Sequence, residues 1–176
     1  MARAPSRFTV VPFDPATHDR QGFSCGESSL DAYLKTQATQ DLRRRAAALY
    51  VAYEEGKDHS ISGYYTVSAC SVLLSGIPVS TQNKLARYPD VPGALIGRLA
   101  VDERYRGTGL GAALLKDALQ RCLEQSQHIA IAVIVVDALN DAAQGFYEHY
   151  GFAPLDGSAS GRRLYLPMAT VQQTQT

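Results

Sequence analysis

Residues 98–111 read RLAVDERYRGTGLG, which is the end of a predicted strand, a glycine-rich turn and the start of a predicted helix. Gly107, Gly109 and Gly111 have no Cβ, so the backbone can approach a bulky group closely at these positions. Unpaired N–H groups at a helix N-terminus, together with the positive end of the helix dipole, favour a bound anion. The turn therefore predicts a phosphate or pyrophosphate site.

Two other nucleotide-binding patterns do not fit this turn. No Lys-Ser or Lys-Thr pair follows the glycines, as a P-loop requires, and no acidic residue lies where a dinucleotide-binding unit needs one. The short glycine pattern also occurs by chance, so a plain helix-start turn without a ligand remains an alternative.

Length and composition predict one globular domain. The chain has 176 residues, of which 45% are hydrophobic and 19% charged, values typical of an ordinary globular domain. We expect the domain to span residues 1–168 and the polar tail, residues 169–176, to be frayed from Thr170 onward. The formal net charge is +0, so a nucleic-acid partner would need a local basic patch.

Cysteine and histidine spacing argues against a metal site. The three cysteines are far apart, and neither they nor the four histidines show ligand spacing, so we predict no disulfide framework and no metal. The N-terminus lacks the apolar run of a signal peptide, and no stretch is suited to spanning a bilayer. The sequence therefore predicts a cytoplasmic location and no membrane contact.

Hydrophobic periodicity predicts an alternation of strands and helices. The predicted strands are Arg7–Val11, Ala47–Tyr53, Ile61–Leu74, Ala94–Val101, Ile129–Val136 and Arg162–Leu166. The predicted helices are Glu27–Arg45, Gly109–Glu124 and Asn140–Tyr150. Ile129–Val136 is continuously apolar, which is typical of a central strand covered on both faces. This order indicates an α+β or mixed α/β fold around one largely antiparallel sheet.

A second motif, residues 140–152, reads NDAAQGFYEHYGF. Together with Arg106-x-x-Gly109-x-Gly111 it resembles the GNAT family of N-acetyltransferases. The resemblance implies a single mixed, mostly antiparallel sheet that is splayed between its fourth and fifth strands and flanked by helices. It also implies acetyl-CoA as the cofactor, with its pyrophosphate on the turn amides and its pantetheine arm on the preceding strand. The implied cofactor-binding residues are Leu99, Ala100, Val101, Arg106, Gly107, Thr108, Gly109, Leu110, Gly111 and Asn140.

Three segments, mostly in the front half of the chain, narrow the resemblance to one group of acetyltransferases. The segments FSCGESSLDAYL (residues 23–34), GYYTVS (63–68) and GRLAVD (97–102) resemble acetyltransferase toxins of bacterial toxin–antitoxin modules. That similarity implies acetylation of the α-amine of aminoacyl-tRNA, which stops translation. It further implies a homodimer and a ribbon-helix-helix antitoxin, with no DNA contact by this chain alone.

The chemistry of the amine fits this substrate. An attacking amine must be neutral, and an α-amine with a pKa of about 7.7 to 8.0 needs less help than a lysine amine at about 10.4. The stretch Pro92–Val101 contains no Asp or Glu that could act as a base. We therefore predict direct attack on the thioester, with the tetrahedral oxyanion near the Val101 amide and Tyr147 as the acid that protonates the departing thiolate.

Several of these side chains have structural alternatives. Tyr147 could simply pack on its helix, Asn140 could be a helix N-cap, and Phe146 and Tyr150 are expected in the core. Basic residues predicted to contact tRNA phosphates are Lys35, Arg43, Arg44, Arg45, Lys84 and Arg87, although a solvated basic face is the alternative.

Two other functions remain open at this point. One is an N-acetyltransferase for a small-molecule or protein amine, which would keep the cofactor site and lose the preference for charged tRNA. The other is a non-catalytic CoA-binding regulatory module, against which the retained Tyr147 and the glycine turn argue.

Overall fold

The computed structural model describes residues 7–158 and 161–174. Its strands are β1 (Phe8–Pro12), β2 (Ala48–Glu54), β3 (Ile61–Leu73), β4 (Asp90–Val101), β5 (Val133–Asp137), β6 (Ala153–Pro154) and β7 (Arg163–Pro167). Its α-helices are α1 (Ser28–Ala32), α2 (Ala38–Arg43), α3 (Val79–Gln82), α4 (Leu110–Gln125), α5 (Asp141–His149) and α6 (Met168–Thr174). A π-helical turn (Tyr33–Gln37) joins α1 to α2, and 3-10 turns occupy Leu74–Gly76 and Glu103–Tyr105.

The strands form a seven-stranded sheet in the order β1-β2-β3-β4-β5-β7-β6. The pairs β1–β2, β2–β3, β5–β7 and β6–β7 are antiparallel, whereas β4 and β5 are parallel. A parallel pair needs a long crossover, and α4 supplies it between β4 and β5. The mixed, mostly antiparallel sheet with flanking helices is confirmed, and β2 and β3 form an antiparallel hairpin.

The parallel pairing is short. It joins Gly93–Ile96 of β4 to Val133–Val136 of β5. The last part of β4, Gly97–Val101, therefore lies outside this register. The resemblance predicted that the sheet is splayed between its fourth and fifth strands, β4 and β5.

The described chain divides into two compact units, one with residues 7–68 and 97–118 and the other with residues from 69–96 and 119–174. In the first unit, side chains of the α1–α2 segment pack on β2 and β3, with Leu34, Val51 and Tyr64 fully buried. In the second unit, Val133 and Val135 of β5 are fully buried in a separate cluster.

Two predicted boundaries are wrong. The strand expected from Ile129 starts at Val133, and Ile129 is 71% exposed. The amides of His128 and Ile129 instead donate back to the Gln125 carbonyl and close a turn at the end of α4. The tail expected to fray from Thr170 is helical up to Thr174, because Val171, three residues after the buried Met168, is itself buried at 3% exposure.

Candidate active site

The glycine turn is held in place by a buried carboxylate. Asp102 follows β4, is 2% exposed, and begins the 3-10 turn by accepting a hydrogen bond from the Arg104 amide at 3.0 Å. It also accepts from the Ser24 amide (3.1 Å) and from two nitrogens of the Arg104 guanidinium (2.8 and 3.0 Å). Burial alone would raise the pKa of Asp102, but these hydrogen bonds and the Arg104 charge together lower it.

Two glycines shape the turn. Gly107 and Gly109 have φ angles of 71° and 83°, a left-handed conformation that L-residues with a Cβ adopt at a cost. A Cβ built at either position would meet no atom of residues 7–158 and 161–174 within 4 Å. The glycines are therefore required by the backbone path, and the space beside them is open.

The start of α4 presents unused donors, as the sequence predicted. Among residues 7–158 and 161–174, none accepts a hydrogen bond from the amides of Gly107, Gly109, Leu110, Gly111 or Ala112. These amides belong to the first turn of a 16-residue helix and to the residues just before it. This geometry suits a phosphate or pyrophosphate.

The Arg106 side chain makes a contact within the fold that the sequence analysis did not predict. Its Nη2 donates to the Cys25 carbonyl at 2.6 Å and lies 3.5 Å from a Glu103 carboxylate oxygen. Gly26, at φ +85°, accommodates this contact, because a Cβ there would lie 2.5 Å from Arg106 Nη2. The guanidinium thus ties the glycine turn to the start of α1, a contact that sequence spacing alone did not reveal.

The strand before the turn ends with Leu99, Ala100 and Val101. The Ala100 side chain is 4% exposed and belongs to the core of the first unit. Leu99 and Val101 are partly buried, and side chains that alternate along a strand point to opposite faces.

The second motif forms helix α5 in the second unit. Asn140 is the N-cap, because its Oδ1 accepts from the Ala143 amide at 2.9 Å. Gly151, at φ +91°, ends the helix, and the Phe152 amide donates to the Tyr147 carbonyl at 3.2 Å. The N-cap interpretation of Asn140 is confirmed, which leaves its contact with a cofactor as a separate prediction.

Tyr147 has a buried ring and an unused hydroxyl. The residue is 5% exposed, with ring centroids of Phe146 and Phe152 at 5.3 and 5.6 Å. Within the described chain, its hydroxyl makes no hydrogen bond. Burial raises the pKa of Tyr147, and the Asp137 charge raises it further. The phenol therefore stays protonated at neutral pH and can act as a donor.

Phe146 and Tyr150, expected in the core, are only partly buried and lie in edge contact with each other at 5.1 Å.

An ion pair that the sequence analysis missed lies at the end of β5. Asp137 accepts from Arg163 Nε (2.7 Å) and Nη2 (2.8 Å). The two residues face each other across the β5–β7 register, so only the strand pairing could have revealed them.

The basic residues predicted to contact tRNA fall into two groups. Arg43, Arg44 and Arg45 are exposed at the end of α2, and Lys35 is partly buried on the preceding π-helical turn. Lys84 and Arg87 are exposed between α3 and β4, in the second unit.

None of the helices in the described ranges is long and apolar enough to cross a membrane. The model of the acetyltransferase (GNAT) family matches residues 16–152. This chain belongs to that family.

Two curated relatives are toxins. The chain is 36% identical over 135 residues to a tRNA-acetylating toxin of Mycobacterium tuberculosis, covering 76% of this chain and 78% of the relative. It is 31% identical over 170 residues to the probable toxin TacT of Sinorhizobium fredii, covering 93% and 92% respectively.

Solved structures of similar proteins have the same fold over 96–97% of this chain. A tyrosine-to-phenylalanine mutant of KacT superposes with a TM-score of 0.89 at 28% identity, over 96% of this chain and 99% of that one. AtaT complexed with acetyl-methionyl-tRNAfMet gives a TM-score of 0.88 at 30% identity, with the same coverage. A tyrosine-to-phenylalanine mutant of AtaT with the C-terminus of the antitoxin AtaR and acetyl-CoA gives 0.83 at 26% identity, over 97% and 99%.

Proposed function

We propose that this chain transfers the acetyl group of acetyl-CoA to the α-amine of aminoacyl-tRNA and so acts as a translation-blocking toxin. The observation that carries the proposal is the similarity to a tRNA-acetylating toxin at 36% identity over 76% of the chain. The unused amides at the start of α4 support the cofactor half of the proposal, since they suit a diphosphate.

In this proposal, the cofactor pyrophosphate binds the backbone between Arg106 and Gly111, with the Gly107, Gly109, Leu110 and Gly111 amides as donors. Thr108 lies in this stretch but donates no hydrogen bond to the pyrophosphate, because its amide and hydroxyl both donate to the Tyr105 carbonyl, at 3.3 and 2.6 Å. The pantetheine arm runs along the backbone of Leu99–Val101. Asn140, the N-cap of α5, contacts the cofactor arm.

The acetyl transfer is direct. The neutral α-amine forms a C–N bond with the thioester carbonyl carbon, the C–S bond breaks, and the departing thiolate takes the proton of Tyr147. The proton released by the amine then restores the phenol. The free hydroxyl of Tyr147 supports this role, because a phenol is protonated at neutral pH and this one makes no hydrogen bond within the described chain.

The acceptor is held by phosphate contacts from the two basic groups, namely Lys35, Arg43, Arg44, Arg45, Lys84 and Arg87. Five of the six are exposed, and Lys35 is partly buried. Such contacts give affinity that falls with rising salt.

The proposal extends to partners and location. A ribbon-helix-helix antitoxin neutralises the protein, the active form is a homodimer, and the chain alone makes no DNA contact. We place it in the cytoplasm, where aminoacyl-tRNA and acetyl-CoA are found together.

An acceptor panel tests the proposal. Purified protein is incubated with labelled acetyl-CoA and, in parallel, with charged tRNA, uncharged tRNA, free amino acids, polyamines and peptides. We expect label on charged tRNA alone. Label on small amines or peptides would favour a general N-acetyltransferase, and binding of CoA without any turnover would favour a regulatory module.

A further inference from the structure

The segments of the front-half motif meet in an aromatic cluster beneath Arg98. The Arg98 guanidinium carbon lies 3.6 Å from the centroid of the Tyr33 ring. Tyr33 is stacked on Tyr64 at 6.3 Å, and Tyr64 is in edge contact with Phe23 at 5.6 Å. We call Tyr33, Tyr64 and Phe23 the aromatic shelf, and each of them is at most 4% exposed.

The aromatic shelf is fixed by its own hydrogen bonds. The Tyr33 hydroxyl donates to an Asp41 carboxylate oxygen at 3.0 Å, and the Tyr64 hydroxyl donates to the Leu30 carbonyl at 2.8 Å. Both phenols are therefore used within the fold. The shelf presents a rigid face on which the guanidinium of Arg98 stacks.

The Arg98 side chain itself has no polar partner within the described chain. It is partly buried, yet it forms no hydrogen bond and no ion pair with any residue of 7–158 or 161–174. The neighbouring carboxylates are engaged, since Asp41 accepts from Tyr33 and Asp31 accepts from the Cys25 amide at 2.9 Å. Stacking occupies the face of the guanidinium and leaves its five edge N–H donors for a planar, bidentate anion.

The position of Arg98 on β4 indicates which anion it binds. Arg98 directly precedes Leu99, where the proposed pantetheine arm runs, so the acceptor amine must approach this part of the strand. The carboxyl group of an aminoacyl-tRNA is esterified and uncharged, and the anion closest to its amine is the phosphodiester of the terminal nucleotide. We infer that Arg98 binds this phosphodiester and thereby positions the amine, an inference that rests on the proposed function.

The test uses two acceptors with the same aminoacyl group, the one that the wild-type protein acetylates fastest on whole tRNA. The first is the aminoacylated dinucleotide cytidylyl-adenosine, which contains one phosphodiester, and the second is the aminoacylated adenosine, which contains none. We expect the wild-type protein to prefer the dinucleotide at least about tenfold in kcat/KM, the effect of a charge-assisted hydrogen-bonded pair. Arg98→Gln removes this preference and changes kcat/KM on the adenosine acceptor by less than about twofold.

Three controls distinguish a loss of phosphodiester binding from misfolding and from weaker binding of the cofactor. Arg98→Lys keeps the charge without the bidentate fork, so it retains part of the preference. Lys116→Gln removes a charge from α4 and leaves the preference intact. The KM for acetyl-CoA stays unchanged in all variants.

An equal loss on both acceptors would overturn the inference, as would a rise confined to the acetyl-CoA KM. If Arg98→Gln does not fold, Arg98→Lys decides, because a preference equal to the wild-type value would contradict bidentate binding. Wild-type protein that acetylates neither acceptor nor whole aminoacyl-tRNA would instead refute the proposed function on which the inference rests.

Discussion

Gly109→Ala separates the backbone cost of the glycine turn from its role as an anion site. At φ +83° an alanine costs about 1–2 kcal/mol relative to its preferred conformations. In the part of the chain that the structure describes, no atom lies within 4 Å of the added methyl group, so the free protein carries only this conformational cost. If the fold holds the turn, the melting temperature falls by about 2–8 °C. If the turn relaxes, its amides rotate away and the Kd for CoA rises about 5- to 30-fold.

Gly157→Ala is the matched control. Gly157 has φ +81°, and no atom of the described residues lies within 4 Å of a Cβ built there, but it lies in the loop between β6 and β7. Both variants should lose similar thermal stability where the fold holds the turn. In either case, calorimetric titration with CoA should show weakened binding in Gly109→Ala alone. The added methyl group at position 109 also enters the space proposed for the diphosphate, which deepens the difference. Wild-type affinity in Gly109→Ala would refute the assignment of the turn amides.

Three further results are expected. Tyr147→Phe should lower kcat by one to several orders of magnitude with the Kd for acetyl-CoA nearly unchanged, and undiminished turnover in a single-turnover assay would remove its role as acid. Changing Arg43, Arg44 and Arg45 to Glu should weaken tRNA binding and reduce the slope of log K against log salt by about 0.7–0.9 per lost phosphate contact, while an unchanged slope would favour a solvated face. His18, whose pKa is lowered mainly by burial and also by His59, is held neutral in the folded state, so the free energy of unfolding should decline as the pH falls below about 6.5. Urea titrations of wild-type protein and His18→Gln at pH 7 and pH 5 check this, because the variant should lose that part of the pH dependence.

Local chemistry made the glycine turn and helix α5 predictable. The positive φ angles of Gly107 and Gly109, and the N-cap of Asn140, depend on residues within a few positions of one another. The strands of the β2–β3 hairpin were predictable for the same reason. The family resemblance added the splayed, mixed sheet, which periodicity alone did not specify.

Contacts between distant segments were not predictable. Arg106 binds the Cys25 carbonyl across 81 positions, and Asp137 pairs with Arg163 across 26. The hydrophobicity of a side chain also did not predict its burial where that burial depends on packing against a neighbouring element. Ile129 carries a strand-like side chain but is 71% exposed, and Val171 in a polar tail is 3% exposed.

The most direct test of the account is the site of acetylation on the product. Charged tRNA is incubated with the purified protein and acetyl-CoA and digested with ribonuclease, and the released aminoacyl-adenosine is analysed by tandem mass spectrometry. The account predicts one added acetyl group on the α-amine of the amino acid. An acetyl group on a tRNA base, or unmodified aminoacyl-adenosine from active protein, would contradict it.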